Sequence, residues 1–169
     1  MPNWVHQTLI VTEGNPDDVF EFIRSDDSLF DFNKLIPMPE TLNVERGTKS
    51  QVALLCVRNQ GLDDWAQYPW VQQAGITTPA ALCKHFGWDY EEIVKLGNQL
   101  LENEKRYGAR TWYEWHIQHW GSKWNACDAA FSDDKAGILH FDTAWSPAFG
   151  VYEFFGKEVS QSHHCHRRI

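Results

Sequence analysis

Three side chains in the last third of the chain could hold a divalent cation. Asp128, His140 and Asp142 fall on two stretches of alternating residues, 124–131 and 138–145, that predict a hairpin. Carboxylate and imidazole groups are suitable ligands for such an ion. The register that pairs the apolar faces also sets Asp128 opposite Asp142, and facing carboxylates repel unless something positive lies between them. The alternative is two solvated acids on an exposed face, which a one-residue change of register would separate.

An aromatic and basic segment, Trp-Gly-Ser-Lys-Trp, occupies residues 120–124. Trp120, Trp124 and Lys123 could stack on a base or anchor an anionic ligand. Alternatively, both tryptophans pack in a core while Lys123 bonds helix-end carbonyls. Core positions for Trp120, Trp124 and Trp145 predict that replacing any one of them with Ala costs about 3–5 kcal/mol.

The remaining chemistry-bearing residues give weaker signals. His116 and His119 share a helical face without the glutamate of a zinc protease motif, so charged histidines at a helix end are the ordinary explanation. Residues 163–166, His-His-Cys-His, could bind a soft divalent ion. The four cysteines form no C-x-x-C pair, which predicts mostly buried, reduced thiols. Because no Ser-His-Asp order, phosphate loop or paired-glutamate motif is present, we predict no catalytic residue.

Composition limits the class of protein. The chain has 169 residues, of which 43% are apolar, and a formal charge of −8. These values predict one compact domain and make a broad phosphate-binding surface an unfavourable hypothesis. The longest apolar run, 52–57, is far below the roughly 20 residues that span a bilayer. The first residues lack the pattern of a signal peptide, so we expect a cytoplasmic protein without membrane association.

Patterns along the chain predict the elements that must position these residues. A half-buried strand is expected over 4–12, followed by a helix from Pro16 to about Arg24 that Asn15 caps. Residues 29–39 are expected to be extended and 40–51 to form a loop, whereas 52–77 is ambiguous.

Capping signals then predict three helices. They begin after Thr78, Asp89 and Thr111 and end near Gly87, Gly108 and Gly121. The predicted hairpin follows, then a last helix after Pro147. Only Val159–Ile169 remains to supply a fourth strand.

This order favours an α+β fold. We expect a single ferredoxin-like domain over 1–169, with helices on one face of an antiparallel sheet. A helical insertion occupies about 50–120 and a polar, His-rich tail occupies 160–169.

Four blocks of residues resemble one family: 1–4, 32–39, 120–126 and 141–147. They are similar to the signature blocks of the YubB-like group, uncharacterised proteins of phages and plasmids that have a ferredoxin-like domain. The chain departs from the family at Val5, where a Cys is expected, and at its ending, where 160–169 replaces the usual last strand. The resemblance implies a fold and a mobile-element origin, but no activity. The candidate binding residues within these blocks are Asn3, Trp4, Trp120, Lys123, Trp124, Trp145 and Ser146.

These observations lead to an expected function. We expect a small, non-enzymatic protein of a phage or plasmid that binds a host or phage macromolecule, with a protein as partner and counter-defence as one such role. A single-stranded nucleic-acid-binding module that uses the sheet face is a less favoured alternative. A small metal-dependent hydrolase, which would need clustered carboxylates and histidines, is another alternative. No cofactor beyond a weakly bound divalent ion is expected.

Overall fold

A computed structural model describes residues 3–58 and 61–156. The chain divides into two compact units: unit 1 comprises Met1–Met38 and His116–Ile169, and unit 2 comprises Pro39–Trp115. The protein mixes helices with a small three-stranded antiparallel sheet, which confirms the α+β class. The predicted fourth strand lies outside the described residues.

Unit 1 contains the sheet. Its strands are β1 (Trp4–Ile10), β2 (Cys127–Phe131) and β3 (Ile138–Ala144), in the order β1-β3-β2. Strand β1 alternates exposed and half-buried residues, as predicted, because one face of the sheet meets a core and the other meets solvent.

The helices of unit 1 follow local signals. Helix α1 (Pro16–Ile23) starts where the Asn15 side chain accepts a hydrogen bond from the Asp17 N–H, as the sequence predicts. The prediction of an extended segment over 29–39 is wrong, because Asp31 caps a single helical turn, α2 (Phe32–Leu35). The expected last helix, α8, covers 149–156.

Aromatic rings fill the inner face of the sheet. Phe30 lies edge-to-face against both Phe32 and Phe141, with ring centroids 4.9 Å apart in each pair. Phe20 of α1 meets Phe131 of β2 at the same separation. These contacts place α1, α2 and the loop between them against one face and leave the other face open.

Unit 2 is helical. Its elements are α3 (Thr48–Arg58), α4 (Pro69–Gln73), α5 (Pro79–His85), α6 (Tyr90–Tyr107) and the first residues of α7 (Trp112–His119), with short 3-10 turns at Glu40–Leu42 and Asp63–Gln67. The starts of α5, α6 and α7 agree with the predicted caps. The stretch that was ambiguous contains most of α3, and its interrupting residues are boundaries: α3 ends before Gly61, and Pro69 begins α4.

The core of unit 2 depends on a close approach of two helices. At Gly97 of α6, an added Cβ would collide with the Ala53 carbonyl and lie 2.7 Å from Val57 Cγ1, both on α3. Only glycine permits this separation. Near this contact, the buried amide of Asn103 donates to the carbonyls of Thr41 (2.8 Å) and Arg110 (3.1 Å), which satisfies polar backbone groups at the edge of the core.

Candidate functional site

The open sheet face of unit 1 carries three of the candidate residues, Trp4, His140 and Asp142. Cross-strand partners share a face of the sheet, so the register defines this surface. We use "open sheet face" for these outward-facing residues: Trp4, His6, Thr8 and Ile10 of β1, Ala130 of β2, and His140 and Asp142 of β3. Ile10 is 56% exposed and Trp4 is 41% exposed.

An aromatic pair with a cation forms one end of this face. The rings of Trp4 and Trp124 have centroids 5.9 Å apart, and the Lys123 ammonium lies 4.6 Å from the Trp124 centroid. Sequence analysis singled out all three residues, and the fold brings them together although 120 positions separate the two tryptophans. The arrangement offers flat apolar surface beside a positive charge, which suits an aromatic ring or a mixed apolar and acidic side-chain cluster.

The turn that presents Lys123 is held by contacts of His116. Helix α7 ends before Gly121, where φ is +82°, and the next residues turn towards β2. The ring N–H at Nδ1 of His116 donates to the Lys123 carbonyl at 2.9 Å, and the His116 ring stacks on Trp120 with centroids 3.7 Å apart. Burial lowers the pKa of His116, while the hydrogen bond to the carbonyl opposes this shift. Burial therefore disfavours the charged form that was expected for His116 at the helix end.

Two polar pairs cross the middle of the open sheet face. His6 Nδ1 lies 2.5 Å from Asp142 Oδ1, and Thr8 Oγ1 lies 3.0 Å from His140 Nδ1. The His6 side chain is 83% exposed and the Asp142 side chain is 17% exposed, so this contact joins a solvated ring to a largely buried carboxylate. The two pairs give partners to polar side chains on neighbouring strands.

The predicted cation site lacks its expected geometry. Phe131 pairs with Leu139 as predicted, but a β-bulge follows, and Cys127 rather than Asp128 lies opposite Asp142. Asp128 adopts a left-handed backbone with φ +49°, which accommodates the extra residue. The prediction that Asp128 faces Asp142 is wrong, because the bulge shifts the register by one residue. Among the described residues, no group of three His, Cys, Asp or Glu side chains is arranged to hold a metal ion.

Cys127 also lacks the character of a nucleophile. Burial raises the pKa of its thiol, and the negative charges of Asp128 and Asp142 add to that shift. A protonated thiol is a poor nucleophile. Cys127 is therefore not an activated group for covalent chemistry.

The remaining candidate binding residues hold the fold together. Trp120 is 3% exposed and its indole N–H donates to the Ile36 carbonyl at 3.0 Å. The Ser146 hydroxyl donates to the Gly121 carbonyl. The Asn3 carbonyl accepts a hydrogen bond from the Trp145 N–H at 2.8 Å, which extends the pairing of β1 with β3.

Trp145 differs from the other tryptophans. Its side chain is 56% exposed and its backbone has φ +73°, a left-handed conformation that is costly for any residue with a Cβ. The core position expected for Trp145 is therefore wrong. The His-rich motif at 163–166 lies outside the described residues.

Sequence reasoning missed half of the open sheet face. His6, Thr8 and Ile10 were not selected, although each stands on the polar side of the alternating pattern of β1. The strand pattern could have placed them on one surface. Only the pairing of β1 with β3 shows that His6 meets Asp142 and that Thr8 meets His140.

Comparisons with family models, curated proteins and solved structures find no match to this chain.

Proposed function

We propose that the protein is a non-enzymatic binding protein of the phage or plasmid type that holds a host or phage protein against the open sheet face. One observation carries the proposal: Trp4 and Trp124, with Lys123 over the Trp124 ring, form an aromatic group on an exposed face. Partly exposed tryptophans grouped in this way are the side chains that most often dominate binding energy at protein interfaces.

The proposal includes a ferredoxin-like fold and a location in the bacterial cytoplasm. The order β1-β3-β2 supports the fold, since the ferredoxin-like pattern also places its first strand beside the third and the third beside the second. The resemblance of four sequence blocks to the YubB-like group points the same way. No helix in the described part of the chain is long and apolar enough to cross a membrane.

Charge favours a protein partner. The chain has a formal charge of −8, and nucleic-acid binding relies on neutralising phosphates with Lys and Arg. Asp142 is a carboxylate of the open sheet face, and Lys123 supplies a positive charge over the Trp124 ring, which contacts Trp4. A partner with an apolar contact residue for the tryptophans and a carboxylate for Lys123 fits this surface.

The test compares how tightly matched variants of the chain bind the same partner. The tagged full chain is used to isolate partners from phage-infected cells, and the partner identified by mass spectrometry is then purified and titrated against each variant. We expect Trp4→Ala to weaken binding at least tenfold, because truncation of a central aromatic contact costs about 2 kcal/mol or more. Phe22→Ala is the matched control, since Phe22 is an exposed aromatic residue of α1, away from the open sheet face.

Equal binding by wild type, Trp4→Ala and Phe22→Ala would contradict the proposed surface. Turnover of any substrate that depends on a named side chain would contradict the non-enzymatic function.

A second candidate is single-stranded nucleic acid, and the same aromatic pair favours it. Two tryptophans and a lysine form the type of group on which successive bases stack. Titration of a short oligonucleotide against intrinsic tryptophan fluorescence tests it at two salt concentrations. Quenching that is lost in Trp124→Ala and weakened by salt would favour nucleic acid over protein, whereas an unchanged spectrum would exclude this candidate.

A further inference from the structure

A group of aromatic rings lies in unit 2, on the 3-10 turn at Asp63–Gln67, on α4 and around the end of α5. The Trp65 and Trp70 rings are perpendicular, with centroids 6.1 Å apart, and Phe86 contacts both rings. His85 stacks on Trp70 with centroids 5.1 Å apart. We use "aromatic surface of unit 2" for the whole connected set: Trp65, Tyr68, Trp70, His85, Phe86 and Trp88.

These rings pack on the core without entering it. Trp65, Trp70, Phe86 and Trp88 lie against the buried cluster of α3, α5 and α6, yet each is only half-buried. Tyr68, whose ring contacts Trp65, is 46% exposed. One side of the group therefore contributes to the core of unit 2, and the other side meets solvent.

The indole N–H groups distinguish this surface from a packed core. The buried Trp120 of unit 1 donates its indole N–H to the Ile36 carbonyl, as buried tryptophans usually do. The indole N–H groups of Trp65, Trp70 and Trp88 donate to none of the residues that the structure describes. Their nitrogens are also not among the buried polar atoms that lack a partner, so they reach solvent. A ligand with carbonyl oxygens could accept these hydrogen bonds.

Negative charge surrounds the aromatic surface of unit 2. Asp63 and Asp64 belong to the same 3-10 turn as Trp65. Between 61 and 92 the sequence contains one basic residue, Lys84, if histidine is counted as neutral. Five exposed acidic residues oppose it: Asp63, Asp64, Asp89, Glu91 and Glu92. Carboxylates beside aromatic faces attract a cation, because the ring quadrupole and the charge act in the same direction.

We propose that the aromatic surface of unit 2 binds an arginine-containing basic segment of a partner protein. A guanidinium plane stacks on aromatic rings and forms bidentate bonds with carboxylates, whereas a lysine ammonium is a point charge. Unit 2 already contains one such contact, since the Arg46 guanidinium lies 4.5 Å from the Tyr113 ring centroid. Backbone carbonyls of the bound segment supply acceptors for the indole N–H groups. This site shares no residue with the open sheet face, so its failure would leave the proposed function standing.

The first experiment titrates the full chain into a fluorescently labelled peptide, Gly-Arg-Gly-Arg-Gly-Arg-Gly with an amidated end, and follows anisotropy. The control peptide carries citrulline in place of each arginine, which keeps the shape of the side chain and removes its charge. We expect the arginine peptide to bind and the citrulline peptide to remain free at the same concentration. Equal binding of the two peptides overturns the proposal.

Matched variants then locate the site. Tyr68→Ala should weaken binding of the arginine peptide by at least about threefold, the effect of losing one exposed cation–π contact. Tyr90→Ala is the control, because Tyr90 is 45% exposed and lies outside the aromatic surface. It should bind like wild type. Equal losses in the two variants overturn the proposal.

A second pair of variants separates local from overall charge. Replacing both Asp63 and Asp64 with Asn should weaken binding, since it removes the carboxylates beside Trp65. Replacing both Asp26 and Asp27, an exposed pair of unit 1, removes the same charge elsewhere and should have a smaller effect. Equal effects would mean that the peptide responds to the net charge of the chain, which overturns the site.

Nuclear magnetic resonance of the wild-type chain covers the case in which a variant fails to fold. Added arginine peptide should shift the indole N–H signals of Trp65, Trp70 and Trp88 and leave that of Trp120 in place. Shifts confined to other residues overturn the proposal.

The chain's own basic end is the competing occupant. Replacing both Arg167 and Arg168 with Gln tests it. If this variant binds the arginine peptide and the wild type does not, the end of the same chain occupies the surface, and the proposed partner is wrong. Absence of binding by both proteins also overturns the proposal.

Discussion

The two units differ in where they keep their large apolar side chains. Among the described residues, two exposed residues of this kind belong to unit 2, Tyr68 and Tyr90. Eight belong to unit 1: Trp4, Ile10, Phe22, Ile117, Phe131, Trp145, Phe149 and Tyr152. Among the described residues, unit 1 therefore exposes more of its large apolar side chains than unit 2 does.

Unit 2 uses its apolar residues to pack against one another. Residues of α3, α5 and α6 form a continuous buried cluster that includes Val52, Cys56, Leu82, Ile93 and Leu100. Aromatic residues of unit 2 contact each other at the margin of this cluster. The rings of Phe86 and Trp88, for example, stack with centroids 4.5 Å apart. The comparison teaches that unit 2 places most of its large apolar side chains in contact with one another, whereas unit 1 leaves more of them in contact with solvent.

The largest expected effect separates buried from exposed tryptophans within unit 1. Trp120→Ala should lower the free energy of unfolding by about 3–5 kcal/mol, because it removes a buried ring and an indole hydrogen bond. Trp145→Ala should change it by less than about 1 kcal/mol, because that side chain is mostly exposed and its left-handed backbone is already strained. Urea denaturation of the two variants checks this. Equal losses would contradict the assignment of Trp120 to the core and Trp145 to the surface.

A smaller effect is expected where α3 and α6 of unit 2 approach most closely. Gly97→Ala should destabilise the protein by about 1–3 kcal/mol, because the new methyl group meets the Ala53 carbonyl and forces the helices apart. Gly47→Ala is the control, since a Cβ there meets no atom within 4 Å. Thermal melts of both variants measure the difference. If Gly97→Ala were as stable as the control, the close packing of α3 on α6 would be wrong.

Acid should weaken unit 1 through His116. Its folded pKa is lowered below the ordinary value of 6.5 by burial, so the unfolded chain takes up a proton first as the pH falls. The free energy of unfolding therefore keeps its full value above pH 6.5 and declines as the pH falls below 6.5. Hydrogen exchange of unit 1 amides between pH 7 and pH 5, corrected for intrinsic exchange rates, measures this loss of stability. His116→Gln should show a shallower decline, and an unchanged slope would assign the acid sensitivity to other groups.

Alkali should weaken unit 2 through a buried thiol pair. The sulfurs of Cys56 and Cys83 are 3.7 Å apart in the core. Burial, followed by the hydrogen bond and charge interaction with Cys83, raises the pKa of Cys56 from 9.0 to about 12. Above pH 9 the unfolded chain loses this proton while the folded chain keeps it, so stability falls as the pH rises towards 12.

Comparing the alkaline slope of stability in wild type and Cys56→Ala isolates this contribution. The variant should lose less stability per pH unit. A parallel slope would show that the thiol does not titrate differently in the folded and unfolded chains.

Much of the fold is predictable because local signals determine it. The caps at Asn15, Thr78 and Asp89 satisfy backbone N–H groups within a few residues, so the sequence suffices to place α1, α5 and α6. Alternation likewise places β1 and β3. The extended segment expected over 29–39 was wrong because Asp31 caps a four-residue helix that is too short to show a period.

The candidate site was only partly predictable. Trp4, Lys123 and Trp124 could be selected by residue type, yet the same reasoning also selected Trp120, which is buried, and could not separate the two. The expected register of the hairpin failed at one residue, because a bulge depends on the conformation of Asp128 and not on the apolar pattern.

The amino-acid sequence by itself determined the capped helices and the alternating strands of this protein, its acidity and the set of polar and aromatic residues available to it. Tertiary structure alone decided which of them share a surface. Helix caps and alternating strands arise from contacts over a few residues, which the order of amino acids encodes directly. The meeting of Trp4 with Trp124, and of His6 with Asp142, joins residues more than a hundred positions apart. Such contacts depend on how β1 enters the sheet beside β3, and that pairing is selected by the packing of the whole unit.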